Sequence, residues 1–209
     1  MSKETLAKDA IHIEQNIIRE NVGSQDQISA AFGGFNRIEF RQNDTFQVSP
    51  VILHRDRLQE LQSRLMLCFT GVSRTASEIA KAQIENSKNR QTELKRMTEM
   101  VDEAIQILQS PNASIDEFGE LLHHGWLHKR KLSEKVSTPE IDSLYEAARG
   151  AGAIGGKLLG AGGGGFLLLF VRPELRPEVQ DVLKTLVHVP FEFDDSGSRV
   201  VLYQPNGFF

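Results

Sequence analysis

The sequence predicts an α+β fold with a largely antiparallel sheet. Three observations carry that expectation. From residue 61 onward the pattern runs β, several α, β, α, β, β, without the strict alternation that a parallel sheet needs. The run Phe166-Leu-Leu-Leu-Phe-Val171 is apolar throughout and short, as a buried strand is. The stretch 74–109 is rich in Lys, Glu, Gln and Arg with an apolar stripe at helical spacing.

Taken in order, residues 3–20 read as a helix, because Leu6, Ala10, Ile13 and Ile17 recur at helical spacing between charges. Gly23 and the polar run to Gln27 mark a turn, and 27–32 is a second helical piece ending at Gly33-Gly34. Residues 35–40 and 46–48 alternate around Gln42-Asn43-Asp44, a hairpin pattern. A strand is expected over 61–69, then one long helix over 74–109, broken at Ser110-Pro111-Asn112. Ser114 with Glu117 forms a capping box for a helix over 115–133. Thr138 before Pro139 caps the next helix, which runs to Arg149. After a glycine-rich stretch come the strand 166–171, a helix over 173–186, and strands over 187–193 and 199–203. The expected division is a first domain over 1–50 and a second over 51–209.

Composition narrows the function. Hydrophobic residues make up 40% and charged residues 25%, an ordinary globular balance. The net charge of -4 gives no bulk attraction to nucleic acid or to an anionic membrane. The N-terminal 15 residues lack an apolar signal-peptide core. The longest apolar run is far too short to span a bilayer. The single cysteine, Cys68, excludes a disulfide framework within the chain and fits a reducing, cytoplasmic setting. Lying in an apolar run, it reads as a small buried hydrophobe rather than a nucleophile.

Three groups of residues could carry chemistry. The first is Gly155–Gly165, in which seven of eleven residues are glycine. Such density permits positive φ and close backbone approach, and consecutive N–H groups can cradle an anion. Gly160, Gly162 and Gly165 satisfy G-x-G-x-x-G formally, but the dinucleotide fingerprint must follow a strand and open a helix, whereas these glycines open a strand. The second is Gly23-Ser24-Gln25-Asp26-Gln27, with Glu14 twelve residues before Asp26. Taken alone, Asp26 reads first as a helix N-cap and second as a general base towards a hydroxyl, and Glu14 could coordinate Mg2+. The third is His123, His124 and His128. The last two share a helix face, but Gly125 stands where a zinc-protease motif needs Glu, so a packed or solvated face is the expected role.

Together these motifs resemble the GHMP kinases, the superfamily of galactokinase, homoserine kinase and mevalonate kinase. The glycine run resembles that family's third motif, and residues 23–27 resemble the turn bearing its catalytic aspartate. The wider text, including Phe32-Gly-Gly-Phe35 and Thr70-Gly-Val-Ser-Arg-Thr75, looks most like the branch that phosphorylates a heptose 7-phosphate. The resemblance implies a ferredoxin-like α+β C-terminal domain and transfer of the ATP γ-phosphoryl to a sugar hydroxyl. It implies Asp26 as the catalytic residue and Glu14 as the Mg2+ ligand. Gly160, Gly162, Gly163, Gly164 and Gly165 would lie against ATP. Gly23, Ser24, Gln25 and Arg74 would contact a sugar or sugar-phosphate substrate. The family's front motifs, a substrate motif and a P-G-L-G-S-S-like ATP loop, are not in this sequence. The chain is therefore expected to be a truncated kinase, inactive alone, that self-associates through uncovered apolar surface. The alternative is a non-catalytic ligand-binding or protein-interaction module derived from such a kinase.

Overall fold

A computed structural model of the chain describes residues 1–43, 45–72 and 76–203. The chain divides into two compact units, Met1–Val51 with Phe193–Phe209, and Ile52–Glu192. The stretch after 192, expected with the second domain, thus joins the first unit. Backbone bonds hold it there: Gly34 N–H donates to the Asp194 carbonyl (2.8 Å) and Ser198 N–H to the Ala30 carbonyl (2.8 Å). Gly33 and Gly197, both at positive φ, approach so closely that a Cβ on Gly33 would lie 2.1 Å from the Gly197 nitrogen.

The first unit contains α1 (Lys3–His12), α2 (Gln25–Phe32), β1 (Asn36–Phe40) and β2 (Phe46–Pro50). Ser2 caps α1, its hydroxyl accepting from Thr5 N–H at 3.0 Å. The helix expected to reach residue 20 instead widens into a π-helical turn over Ile13–Ile18 and stops at Arg19, in the left-handed region with φ 64°. β1 and β2 pair antiparallel, with Ile38 opposite Val48. A small core of Ala7, Ile28 and Ala31, backed by Leu6, Phe32, Ile38 and Val48, joins helices to hairpin. Residues 199–203 form no strand. Val200 and Val201 are exposed, so no apolar partner draws them into a sheet.

The second unit holds α3 (Arg55–Arg64), β3 (Leu65–Phe69), α4 (Ala76–Asn86), α5 (Gln91–Gln109), α6 (Asp116–Arg130), α7 (Pro139–Gly150), β4 (Ala153–Leu158), β5 (Phe166–Val171), α8 (Arg176–Val182) and β6 (Val187–Val189). The four strands form one antiparallel sheet in the order β4-β5-β3-β6, so the expected α+β class with an antiparallel sheet holds. Several local expectations change: the helix expected over 173–186 is a 3-10 turn at Pro173–Leu175 followed by α8, and the strand expected over 187–193 ends at Val189. The strand expected from 61 begins at Leu65, because the charged segment before it closes a helix through Arg57–Glu60 and Arg64–Glu60 pairs spaced one turn apart. The single helix expected over 74–109 is two, separated by a 3-10 turn at Ser87–Asn89. β4, not expected from the sequence, starts at Ala153 and runs into the glycine-rich stretch as far as Leu158.

Glycine makes β4 possible where it lies. A Cβ on Gly155 would stand 1.9 Å from the Gly119 carbonyl oxygen of α6, and a Cβ on Gly119 would meet the Phe170 ring at 2.5 Å. Two facing glycines let α6 lie directly on the strand. The core beside this contact includes Met66, Cys68, Trp126, Ile141, Tyr145 and Leu169.

Cys68 is fully buried, and its thiol lies 3.5 Å from His188 Nδ1. Burial pushes the thiol from 9.0 up to about 11, against a smaller opposing pull from Arg176. Burial likewise pushes the Tyr145 hydroxyl from 10.0 up to about 12. Both groups hold their protons more tightly folded than unfolded. Their contribution is complete below about pH 9 and is lost as pH rises towards 11 and 12. A series of urea unfolding curves should therefore show stability falling above pH 9. In the same protein at pH 8, a thiol reagent should label Cys68 only on unfolding, and rapid labelling of the native chain would contradict its burial.

Candidate active site

The first unit gathers Glu14, Gln15, Ser24 and Gln27. The π turn widens the backbone at Glu14, whose carbonyl accepts from Glu20 N–H at 3.0 Å as the chain reverses. Such bulges re-aim side chains and often occur at functional sites. Gln15 Nε2 donates to the Val22 carbonyl (3.0 Å) and to Ser24 Oγ (3.2 Å), tying the turn to the segment that opens α2. Gln27, 8% exposed, donates from Nε2 to Glu14 Oε2 at 2.6 Å. Its own Oε1 is buried without a hydrogen-bond partner.

Asp26 lies in the first turn of α2, exposed, with no hydrogen bond or ion pair among the described residues. It is not the N-cap. Ser24 holds that position, and its side chain makes no capping bond. The Asp26 carboxylate oxygens stay open to a ligand. Gln25 beside it is exposed. Gly23 is not compelled by packing within this unit, since a Cβ there would meet nothing within 4 Å.

The second unit presents the glycine turn. Leu159 N–H donates to the Phe166 carbonyl at 2.8 Å, so residues 160–165 close a tight connection between β4 and β5. The glycines therefore follow a strand, not the helix expected from sequence. The dinucleotide reading still fails, because they lead into another strand. Gly160, Gly162, Gly163 and Gly165 take positive φ of 67°, 116°, 72° and 96°. Space matters as well: a Cβ on Gly162 would lie 2.5 Å from the Val136 carbonyl oxygen, and one on Gly164 2.3 Å from that of Val72.

Side chains tie several carbonyls of this turn back into the unit. Lys129 Nζ donates to the carbonyls of Leu158 and Gly160. Gln83 Nε2 donates to that of Ala161. Thr70 holds the Gly165 carbonyl twice, through N–H (2.9 Å) and Oγ1 (2.8 Å). Gly163 and Gly165 N–H groups donate to Val136 and Val72 carbonyls, both at 2.9 Å. The N–H groups of Gly160, Ala161, Gly162 and Gly164 have no hydrogen-bond partner among the described residues. A turn whose carbonyls are tethered and whose amides are open suits an anion. Lys157, on β4 just before it, has its ammonium pKa lowered by burial.

The structure thus brings Glu14, Ser24 and Gln27 together in one unit and assembles the glycine turn with Thr70, Gln83 and Lys129 in the other. Arg74 lies outside the described residues. Of the histidines, His124 is exposed and His128 half-buried, whereas His123 is packed: its Nδ1 shares a 2.7 Å hydrogen bond with the Tyr145 hydroxyl, and burial lowers its pKa. Among the described residues no group of three or more His, Cys, Asp or Glu is placed to hold a metal. No helix there is long and apolar enough to cross a membrane. Sequence reasoning missed Gln27, Gln83 and Lys129 as supports, because a side-chain hydrogen bond to a distant element leaves no local spacing signal.

Residues 110–188 match the family described as GHMP kinases C terminal. The chain is 34% identical over 172 residues to the D-glycero-alpha-D-manno-heptose 7-phosphate kinase of Campylobacter jejuni, covering 80% of this chain and 50% of that protein. It is 30% identical over 194 residues to the mevalonate kinase of Pyrococcus abyssi, covering 88% and 52%. The crystal structure of a D-glycero-D-manno-heptose 1-phosphate kinase from Bacteroides thetaiotaomicron superposes with a TM-score of 0.68 at 29% identity, covering 94% and 54%. The chain spans about half the length of these relatives. Residues 110–188 thus carry the C-terminal domain of the GHMP kinases.

Proposed function

We propose that residues 1–209 form the C-terminal part of an ATP-dependent kinase that phosphorylates a sugar or sugar phosphate, a heptose 7-phosphate above others. The observation that carries this reading is the glycine turn, with four amides open and its neighbouring carbonyls tethered. Kinship with a heptose 7-phosphate kinase supports the substrate class. The segment by which the relatives exceed this chain is where we place the main ATP phosphate loop.

In this reading Asp26 accepts the proton of the attacking sugar hydroxyl, as its open, unpartnered carboxylate allows. Ser24 and Gln25 contact the sugar beside Gly23, and Arg74 pairs with its phosphate. The amides of the glycine turn receive negative charge on the transferring phosphoryl group. The oxygens of Glu14 and Gln27 suit Mg2+: one is a carboxylate, and the other is a buried amide oxygen that lacks a donor. Glu14 and Gln27 would hold the ion, which when bound neutralises phosphate charge. A single buried thiol is consistent with work in a reducing cytoplasm.

A coupled ADP-release assay tests the proposal. The full-length protein should turn over ATP only with a sugar or sugar phosphate present, and residues 1–209 alone should give no turnover above buffer. Turnover by residues 1–209 at the full-length rate would overturn the placement of the ATP loop. No turnover by the full-length protein with any sugar phosphate would favour the non-catalytic module.

A further inference from the structure

Away from the glycine turn, α8, β3 and β6 enclose a cleft of about 230 Å³. Met66, Leu67, Val189 and Pro190 give it apolar walls, and Arg176, Gln180 and His188 give it polar groups. Arg176 and Gln180 lie one helical turn apart and so share a face of α8.

Arg176 is fixed from one side. Its Nη1 donates to the carbonyls of Ser63 (2.6 Å) and Leu65 (3.2 Å), where α3 passes into β3. Its Nε and Nη2 have no partner among the described residues, and no acidic side chain lines the cleft. This leaves the side-on edge of the guanidinium, two parallel N–H donors, without an acceptor. His188 is also fixed. Its Nε2 donates to the Leu183 carbonyl at 3.3 Å, and its Nδ1 accepts from the Cys68 thiol at 3.5 Å. Both ring nitrogens are thus committed, and the ring serves as wall. Gln180 is exposed and adds an uncommitted amide.

A half-buried guanidinium with one open edge matches the two coplanar oxygens of a carboxylate. A phosphate dianion would call for a second Lys or Arg, and Arg176 is the one such residue lining the cleft among the described residues. The apolar walls favour a ligand with a short hydrocarbon body. We propose that the cleft between α8, β3 and β6 binds a small carboxylate bearing a short apolar body, a site separate from the glycine turn and independent of phosphoryl transfer.

NMR titration of the protein with isocaproate tests this, with neutral isocaproamide and inorganic phosphate as comparators. Saturable shifts at Gln180 and His188 are expected, with a Kd of about 1 mM for so small a ligand. Isocaproamide and phosphate should bind at least about tenfold more weakly. Arg176→Gln should weaken isocaproate at least about tenfold, but it also removes the donor to Ser63 and Leu65. Gln180→Glu avoids that problem: it changes an exposed side chain, supplies a competing carboxylate to Arg176, and should weaken isocaproate about tenfold at unchanged Tm. Equal affinity for the amide, tighter binding of phosphate, no saturable shift, or full affinity in Gln180→Glu would each overturn the proposal.

Discussion

On the proposed function, replacing Asp26 by asparagine should lower kcat of the full-length protein by about 10²- to 10⁴-fold, the range a positioned base contributes. The substitution keeps size and removes only the proton-accepting charge. Asp26 is exposed and makes no bond within the described residues, so the fold has nothing to lose. Tm should stay within a degree or two of the parent, and KM for the sugar should change far less than kcat. Steady-state kinetics with a thermal melt on the same sample separates the outcomes. A variant that melts normally and turns over at the parent rate would remove Asp26 from the mechanism. By contrast, Glu14→Gln disturbs the 2.6 Å bond to buried Gln27 and should cost stability as well as rate.

The second large effect concerns the fold. Gly155→Ala should destabilise the protein by about 3 kcal/mol or more, since its Cβ would fall 1.9 Å from the Gly119 carbonyl oxygen and force α6 off β4. The contact is backbone against backbone, so no flexible side chain can yield. Gly160→Ala is the control. A Cβ there meets nothing within 4 Å, and only the left-handed φ of 67° resists it, at about 1–2 kcal/mol. Chemical denaturation followed by circular dichroism should rank Gly155→Ala well below Gly160→Ala. Equal midpoints would contradict the direct seating of α6 on the strand.

Some of this was legible in the residues. The apolar run of β5, the Thr138 cap and the hairpin follow from local pattern, because period and capping chemistry are written within a few positions. The α6 cap is partly so: the Glu117 carboxylate reaches back to Ser114 N–H at 3.1 Å. β4 was hidden because Gly155 and Gly156 carry no strand propensity. Only the tertiary approach of α6 explains why glycine stands in a strand there. The halt at residue 12 of the first helix was hidden too, since Ile13 and Ile17 keep helical spacing through a π turn that leaves both exposed. For the site, Asp26, Glu14 and the glycine run stood out by type and order. Gln27, Lys129 and Gln83 did not, because their roles rest on partners 13, 31 and 78 residues away.

The most direct test is transfer of label from γ-labelled ATP. Incubated with the full-length protein, Mg2+ and a heptose 7-phosphate, the label should move to the sugar phosphate in step with ADP release, and Asp26→Asn should slow that movement by about 10²- to 10⁴-fold. ATP and sugar phosphate both bound, with no label on the sugar under any condition, would contradict a kinase.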